Sequence, residues 1–450
     1  MKEQSPPQYP REFWVASSVE LVERAAWYGM FILLTRYLTD IVGFTDVEAG
    51  WLSGVFAALL YFMPTLSGAY ADVIGFRKAV ILAFSLLTCG YTVLGLAHTR
   101  AATVAALSLI VLGGSFIKPT IAGTVAACSS ETNRARAFSI FYMMVNIGSF
   151  SGKLVAKPLR VEHGAESVML LSAALSLVAL ISVVLLFRSV QSSNAQRSIA
   201  QVLGGLGRVM ANGRFMALIV IVGGFWAIQG QLYATMPKYV ERLVGKGASP
   251  EWYANVNPLV VVLCVVPVTR WVSRWPAVRS IGVALLLVVC SSLTMSLSPF
   301  LTAFFAAHPV FGALHPVTVT LLLGIGLQGL GECFLSPRFL EYTSKQAPPG
   351  ETGLYMGYSS LTSFFGNILG FGISGYLLAW FCPDPKTLDE VTQAALATAI
   401  RDGGPLPSVY AHAHYIWYAF AGLGLLAFVA LMIFNRVTDE TPRESENAAA

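Results

Sequence analysis

Polar and apolar residues along this chain separate into long blocks instead of alternating. Apolar windows fall at about 13–39, 47–71, 78–97, 101–128, 135–156, 165–187, 214–240, 253–272, 279–305, 313–336, 353–381 and 411–435. Each is near the ~20 residues that cross a hydrocarbon core of ~30 Å as a helix. Runs of this length exclude a closed barrel, whose strands alternate over about ten residues. Helices are the remaining element that satisfies its own backbone in lipid. The pattern therefore predicts an all-α membrane protein of about twelve transmembrane helices. Polar RSVQSSNAQRSIAQVLGGLGRVMANGR separates the sixth window from the seventh. It divides the chain into a six-helix bundle over 1–188, a linker over 189–213 and a second six-helix bundle over 214–450, the layout of proteins that rock one half against the other. The other long connection, 383–408, is expected outside the membrane, with TLDEVTQAALATAI as a short surface helix.

Composition sharpens this picture. Of 450 residues, 55% are hydrophobic and 12% charged, about half the charge of a soluble domain. The net charge of +5 reflects Lys and Arg in short loops and does not suggest a nucleic-acid surface. These cations favour the loops on the side of the termini by about two to one, which predicts that both termini are cytoplasmic. MKEQSPPQYPRE lacks the apolar core and cleavage site of a secretory signal, so the first span is expected to be retained. The six cysteines lie mostly inside spans without metal or redox spacing and read as packing residues. No His-Glu-x-x-His, Ser/Lys pair or acidic metal cluster occurs in the spans, which argues against an enzyme. The expected protein is a multi-pass component of the inner (plasma) membrane, functional as a monomer in the lipid bilayer, without metal or cofactor.

Charges inside spans then stand out, because each costs ~2.5–3.5 kcal/mol at membrane depth and usually marks an ion or substrate path. FWVASSVELVERAAWYGMFILL carries Glu20, Glu23 and Arg24. At 100° per residue these share one stripe with Trp27, Tyr28 and Phe31, and Glu20 and Arg24, four apart, are neighbours on it. Lys118 lies deep in the fourth window and Glu332 in the tenth, with Lys118 too far from either end to snorkel easily. One lysine and one glutamate from opposite halves are placed to pair across a central cavity and to act as a gate. The competing reading of each group is a structural ion cluster locking neighbouring helices.

GAYADVIGFRK (68–78) resembles the signature of the major facilitator superfamily. Asp72 closes one helix at the membrane surface and Arg77 and Lys78 begin the next, an arrangement expected to tie helices together in one conformational state. Further motifs are similar to those of the proton-dependent oligopeptide transporters. They are Glu20-Leu-Val-Glu23-Arg24-Ala-Ala-Trp27-Tyr28-Gly29, Lys118-Pro119, FSIFYMMVNIGSF (138–150), Asn257-Pro258, Gly331-Glu332 with Ser336-Pro337, and Ala347-Pro348-Pro349.

This resemblance implies a proton-coupled symporter that imports di- and tripeptides by alternating access, driven by the proton gradient alone. Glu20, Glu23, Arg24 and Lys118 would couple protons. Arg24, Tyr28 and Lys118 would receive the peptide carboxylate, and Glu332 the amine, helped by Asn146 and Asn257. The substrate-binding set it implies also includes Trp27, Tyr61, Trp226, Gln231, Tyr358, Ser359 and Ser363, and the gating set Lys118, Glu332, Asp72 and Arg77. Two family charges that pair as an outer gate are replaced here by Phe31 and Gly230, which leaves that gate to Lys118 and Glu332, to packing, or to a substitute such as Arg36. The alternatives are a facilitator-type exporter of drugs or other metabolites, and a sensor that binds peptide without moving it.

Overall fold

The computed structural model describes residues 9–130, 133–188, 199–308, 314–346, 352–402 and 404–439; the Ala347-Pro348-Pro349 match and part of the expected linker lie outside them. Among the described residues the chain is helical throughout, with no strand. The first span is Arg11–Phe31, continued after a break by Leu34–Asp40. The second is Asp46–Phe62 with Pro64–Ile74, and the third to sixth are Phe76–Leu96, Arg100–Ala127, Arg134–His163 and Ala165–Leu186. After the connecting helix Ile199–Ala211 come Gly213–Gln229 (continued to Val244), Val256–Val272, Ala277–Met295, Pro316–Gln346, Leu361–Phe381 and Tyr415–Asp439. The expected surface helix is Glu390–Asp402, capped by Asp389, which accepts from the Thr392 amide at 2.9 Å.

Nine of these helices are long and apolar enough to cross a membrane, or ten if the bent second span counts as one. The first and fifth spans have the length but not the apolarity. Glu20, Glu23 and Arg24 lower the hydropathy of one, and Asn146, Lys153 and several serines that of the other. The two spans least suited to lipid are thus two of the four that bring charge to the interior.

The first six spans pack among themselves, the first against the fourth, fifth and sixth. The last six form a second group in which the seventh touches the eleventh and twelfth, and the tenth touches the eighth and ninth. Between the groups the broadest contact joins the second span to the eleventh.

Small residues set the closest approaches, as expected where lipid supplies no hydrophobic drive between helices. A Cβ on Gly152 would stand 2.2 Å from the Ala25 carbonyl oxygen, and one on Gly148 2.3 Å from that of Leu21. These two glycines, one turn apart on the fifth span, let it lie backbone to backbone on the charged stripe of the first. Gly152→Ala is expected to lower the thermal unfolding temperature in detergent by an overpacking cost of at least ~1–3 kcal/mol. Gly422→Ala, where a Cβ would meet nothing within 4 Å, serves as the neutral control.

Three prolines inside or opening spans leave carbonyls without their helical donor, and each carbonyl finds a side chain elsewhere. The Ser115 carbonyl, opposite Pro119, accepts from Ser67 Oγ at 2.7 Å. The Leu154 carbonyl, opposite Pro158, accepts from Trp252 Nε1 at 3.3 Å. The Ala254 carbonyl, opposite Pro258, accepts from Lys153 Nζ at 3.3 Å. The last two bonds cross between the helix groups.

Candidate functional site: a charged cavity between the two bundles

A cavity of about 470 Å³ lies between the groups, within the range of small-ligand pockets. Its first wall is the stripe expected from helical spacing. Glu20, Glu23, Arg24, Trp27 and Tyr28 all line it. The Arg24 guanidinium bonds Glu23 and reaches Glu20 Oε1 at 3.2 Å. Glu20 Oε2 is buried with no hydrogen-bond partner. Lys118 enters from the fourth span, its Nζ 4.9 Å from the centre of the Tyr61 ring, in a helix whose proline break is held by Ser67. The fifth span adds Tyr142, Asn146, Ser149 and Lys153, and the second group adds Tyr233, Asn257 and Glu332. Glu332 Oε2 accepts from Gln229 Nε2 at 3.1 Å.

Cavity walls therefore carry three carboxylates, Glu20, Glu23 and Glu332, and three cations, Arg24, Lys118 and Lys153. The carboxylate pair belongs to one group of helices and the lone carboxylate to the other.

One side of the cavity is sealed. Among the described residues every ion pair between the groups lies on the face opposite the chain ends. Asp46 on the second span binds Lys238 Nζ at 2.7 Å and Arg242 at 2.8 Å and 2.9 Å, all three buried. Arg36 pairs with Glu241, and Arg160 with the fully buried Glu251. Here the second and eleventh spans also touch closely: a Cβ on Gly375 would stand 2.6 Å from the Asp46 carbonyl oxygen. On the other side Tyr142 and Lys118 are exposed, so the cavity opens toward the face that carries the chain ends.

The sequence matches the Major Facilitator Superfamily model over residues 17–311 and 289–450. The chain belongs to the Major Facilitator Superfamily. Among its relatives, a multidrug resistance protein MdtH of Baumannia cicadellinicola is 23% identical over 78% of this chain and 80% of its own length. A dipeptide and tripeptide permease A of Citrobacter koseri is 23% identical over 82% and 84%, and that of Escherichia coli K12 is 24% identical over 82% and 84%. Solved structures superpose on nearly the whole chain. The POT family transporter PepTSo matches at 18% identity with TM-score 0.72, over 97% of this chain and 100% of the other. A peptide transporter in complex with alafosfalin matches at 20% identity with TM-score 0.70, over 96% and 97%. At such identities the structural likeness is one of fold. It agrees with the multi-pass all-α architecture expected from the apolar windows and with the facilitator resemblance of the motifs.

In this facilitator several residues expected at the substrate stand elsewhere. Gln231 is buried in the helix contact, donating to the Ala227 and Gly370 carbonyls at 2.7 Å and 3.0 Å. Tyr358 points away and donates to the Val202 carbonyl of the connecting helix at 2.7 Å. Trp226 packs on Phe225 and against Gly366. Ser359 bonds the Met356 carbonyl, and both Ser359 and Ser363 are buried outside the cavity. Helix breaks accompany most of these corrections: the eleventh span breaks at 359–360, beside Tyr358, Ser359 and Ser363, and the seventh breaks at Gly230, next to Gln231. Lys118 and Glu332 are not paired in this conformation. Arg77 donates to the Phe187 and Val184 carbonyls at 2.8 Å and 2.9 Å, capping the sixth span, as a cation at a helix C-terminus should. Asp72 forms no ion pair with it among the described residues.

Around Phe31 and Gly230 the structure gathers aromatic side chains. Phe31 stacks on Trp27 at 4.8 Å and meets Tyr233 at 4.9 Å and Phe371 at 6.0 Å. A Cβ on Gly230 would come to 3.2 Å of the Phe371 ring, so the glycine leaves room for that aromatic plug. Arg36 is one turn further out with Glu241. Lys153 and Tyr233 line the cavity beyond the residues expected there. For Lys153 a signal existed, because Tyr142, Asn146, Ser149 and Lys153 recur at helical spacing and form one stripe.

Proposed function

We propose that this facilitator is a proton-coupled symporter that takes up di- and tripeptides by alternating access across the inner membrane. The observation that carries the reading is the opposed charge of one cavity, with Arg24 and Lys118 on one wall and Glu332 beside Asn257 on the other. A zwitterionic peptide presents the same two charges several ångströms apart, so each of its ends meets an opposite charge on one wall. The similarity to dipeptide and tripeptide permeases supports the substrate class.

Protons enter the scheme at Glu20 and Glu23, which share the Arg24 guanidinium. A proton on either carboxyl loosens the claim on Arg24 and frees it for a substrate carboxylate. Binding then favours closure of the open side, and the pairs Asp46–Lys238, Asp46–Arg242, Arg36–Glu241 and Arg160–Glu251 part as the far side opens. With both termini cytoplasmic, the conformation described is open inward. Lys118 and Glu332, drawn together in that closure, are a gate in this scheme.

Proteoliposomes with an inward proton gradient test the proposal. Gradient-dependent accumulation of labelled dipeptide is expected, and its absence across a peptide panel would sink the reading. The similarity to multidrug resistance proteins favours a second reading, export of drugs. It predicts the opposite vectorial result, proton-driven movement of a cationic drug with no response to peptide. Glu332→Ala is expected to weaken dipeptide binding tenfold or more, the loss of a charge-assisted bond worth ~1.5–3 kcal/mol. Unchanged affinity by calorimetry would refute its role at the amine.

A further inference from the structure

Lys153 is the cavity charge that the transport scheme does not use. Its side chain is 1% exposed yet lines the cavity. Two features fix it there. The fifth span lies against the first through Gly148 and Gly152, which brings Lys153 Nζ over the Tyr28 ring at 5.4 Å. Pro258 frees the Ala254 carbonyl, which receives the ammonium at 3.3 Å. It is the third cation of the cavity that also holds Glu332.

The consequence is a change in charge balance. With all six groups ionised the cavity is neutral, and with one proton on Glu20 or Glu23 it carries a single positive charge. Without Lys153 the same proton-loaded cavity would be neutral and would suit a zwitterion. Closing a low-dielectric chamber on an unbalanced charge is costly, so the preferred cargo is the one that restores neutrality.

Resting on the peptide-symport reading, we propose that Lys153 sets substrate class, favouring peptides with one extra carboxylate and a net charge of −1. The backbone carboxylate goes to Arg24 and Lys118, the ammonium to Glu332, and the side-chain carboxylate to Lys153 beside the Asn257-Pro258 break. The carboxylate displaces the Ala254 carbonyl as partner of the ammonium, a charge-assisted bond exchanged for a weaker one.

Competition in proteoliposomes, with Ala-Glu against its amide isostere Ala-Gln, tests this. The protein is expected to prefer Ala-Glu by about tenfold. Lys153→Gln is expected to abolish or reverse the preference while retaining Ala-Gln binding, which also shows that the variant is folded. Lys153→Arg is expected to keep the preference. Equal or better use of Ala-Gln by the unaltered protein overturns the proposal and leaves peptide symport standing, as does an unchanged preference in Lys153→Gln. Failure of both peptides to bind overturns the symport reading and this proposal with it.

Discussion

Glu23→Gln and Glu20→Gln are each expected to reduce proton-driven peptide accumulation to simple equilibration while peptide counterflow persists. A gradient of one pH unit supplies about 1.4 kcal/mol per proton, enough for about a tenfold concentration ratio. That ratio is expected to fall to about one when a proton site is lost. The geometry explains why exchange survives. Arg24 bonds both carboxylates, so neutralising one leaves the other to hold the guanidinium while the substrate's carboxylate can still approach. Uptake with and without a gradient, beside counterflow at equal pH, separates the two activities. Normal accumulation in either variant would remove that carboxylate from the proton path.

Asp46→Ala is expected to open the far side. Asp46 is the shared acceptor of Lys238 and Arg242, each buried, and its removal leaves two cations side by side on one helix, buried against the other group without their partner. Breaking such a buried pair costs about 3–5 kcal/mol, and the cost vanishes once that side opens to water. The equilibrium is then displaced by roughly two to four orders of magnitude. Spin labels at Ala101 and Lys246, exposed on that face in opposite groups, are expected to report a longer inter-bundle distance in the variant. Adding Lys238→Met is expected to restore part of the closed population, because Arg242 keeps the Cys382 carbonyl and Asp384. A distance distribution unchanged by Asp46→Ala would show that packing between the second and eleventh spans closes the far side without these charges.

The glycine replacing the expected charge at position 230, and Phe31 opposite it, illustrate what local pattern conveys and what it does not. Their loss of charge is plain in the sequence. Their replacement by an aromatic plug depends on Trp27, Tyr233 and Phe371 arriving from three spans. Arg36 was a visible candidate for the displaced charge, but Glu241 as its partner was not, since the two belong to different groups of helices.

Sequence alone determined the membrane-spanning helices and the stripe Glu20, Glu23, Arg24, Trp27 and Tyr28, because hydropathy and the 3.6-residue repeat are local properties of a helix. It also pointed to Lys118 and Glu332 by their charge inside apolar runs, and to Asn146 and Asn257 through the resemblance of their motifs. Only the tertiary structure decided that Gln231, Trp226, Tyr358, Ser359 and Ser363 face away from the cavity and that Lys153 faces into it. Which side chain fills a cavity depends on breaks that rotate one helix segment against the next, and on carbonyls that prolines release to distant donors. Neither is set by the residues adjacent in the chain. Both follow from how the twelve helices pack.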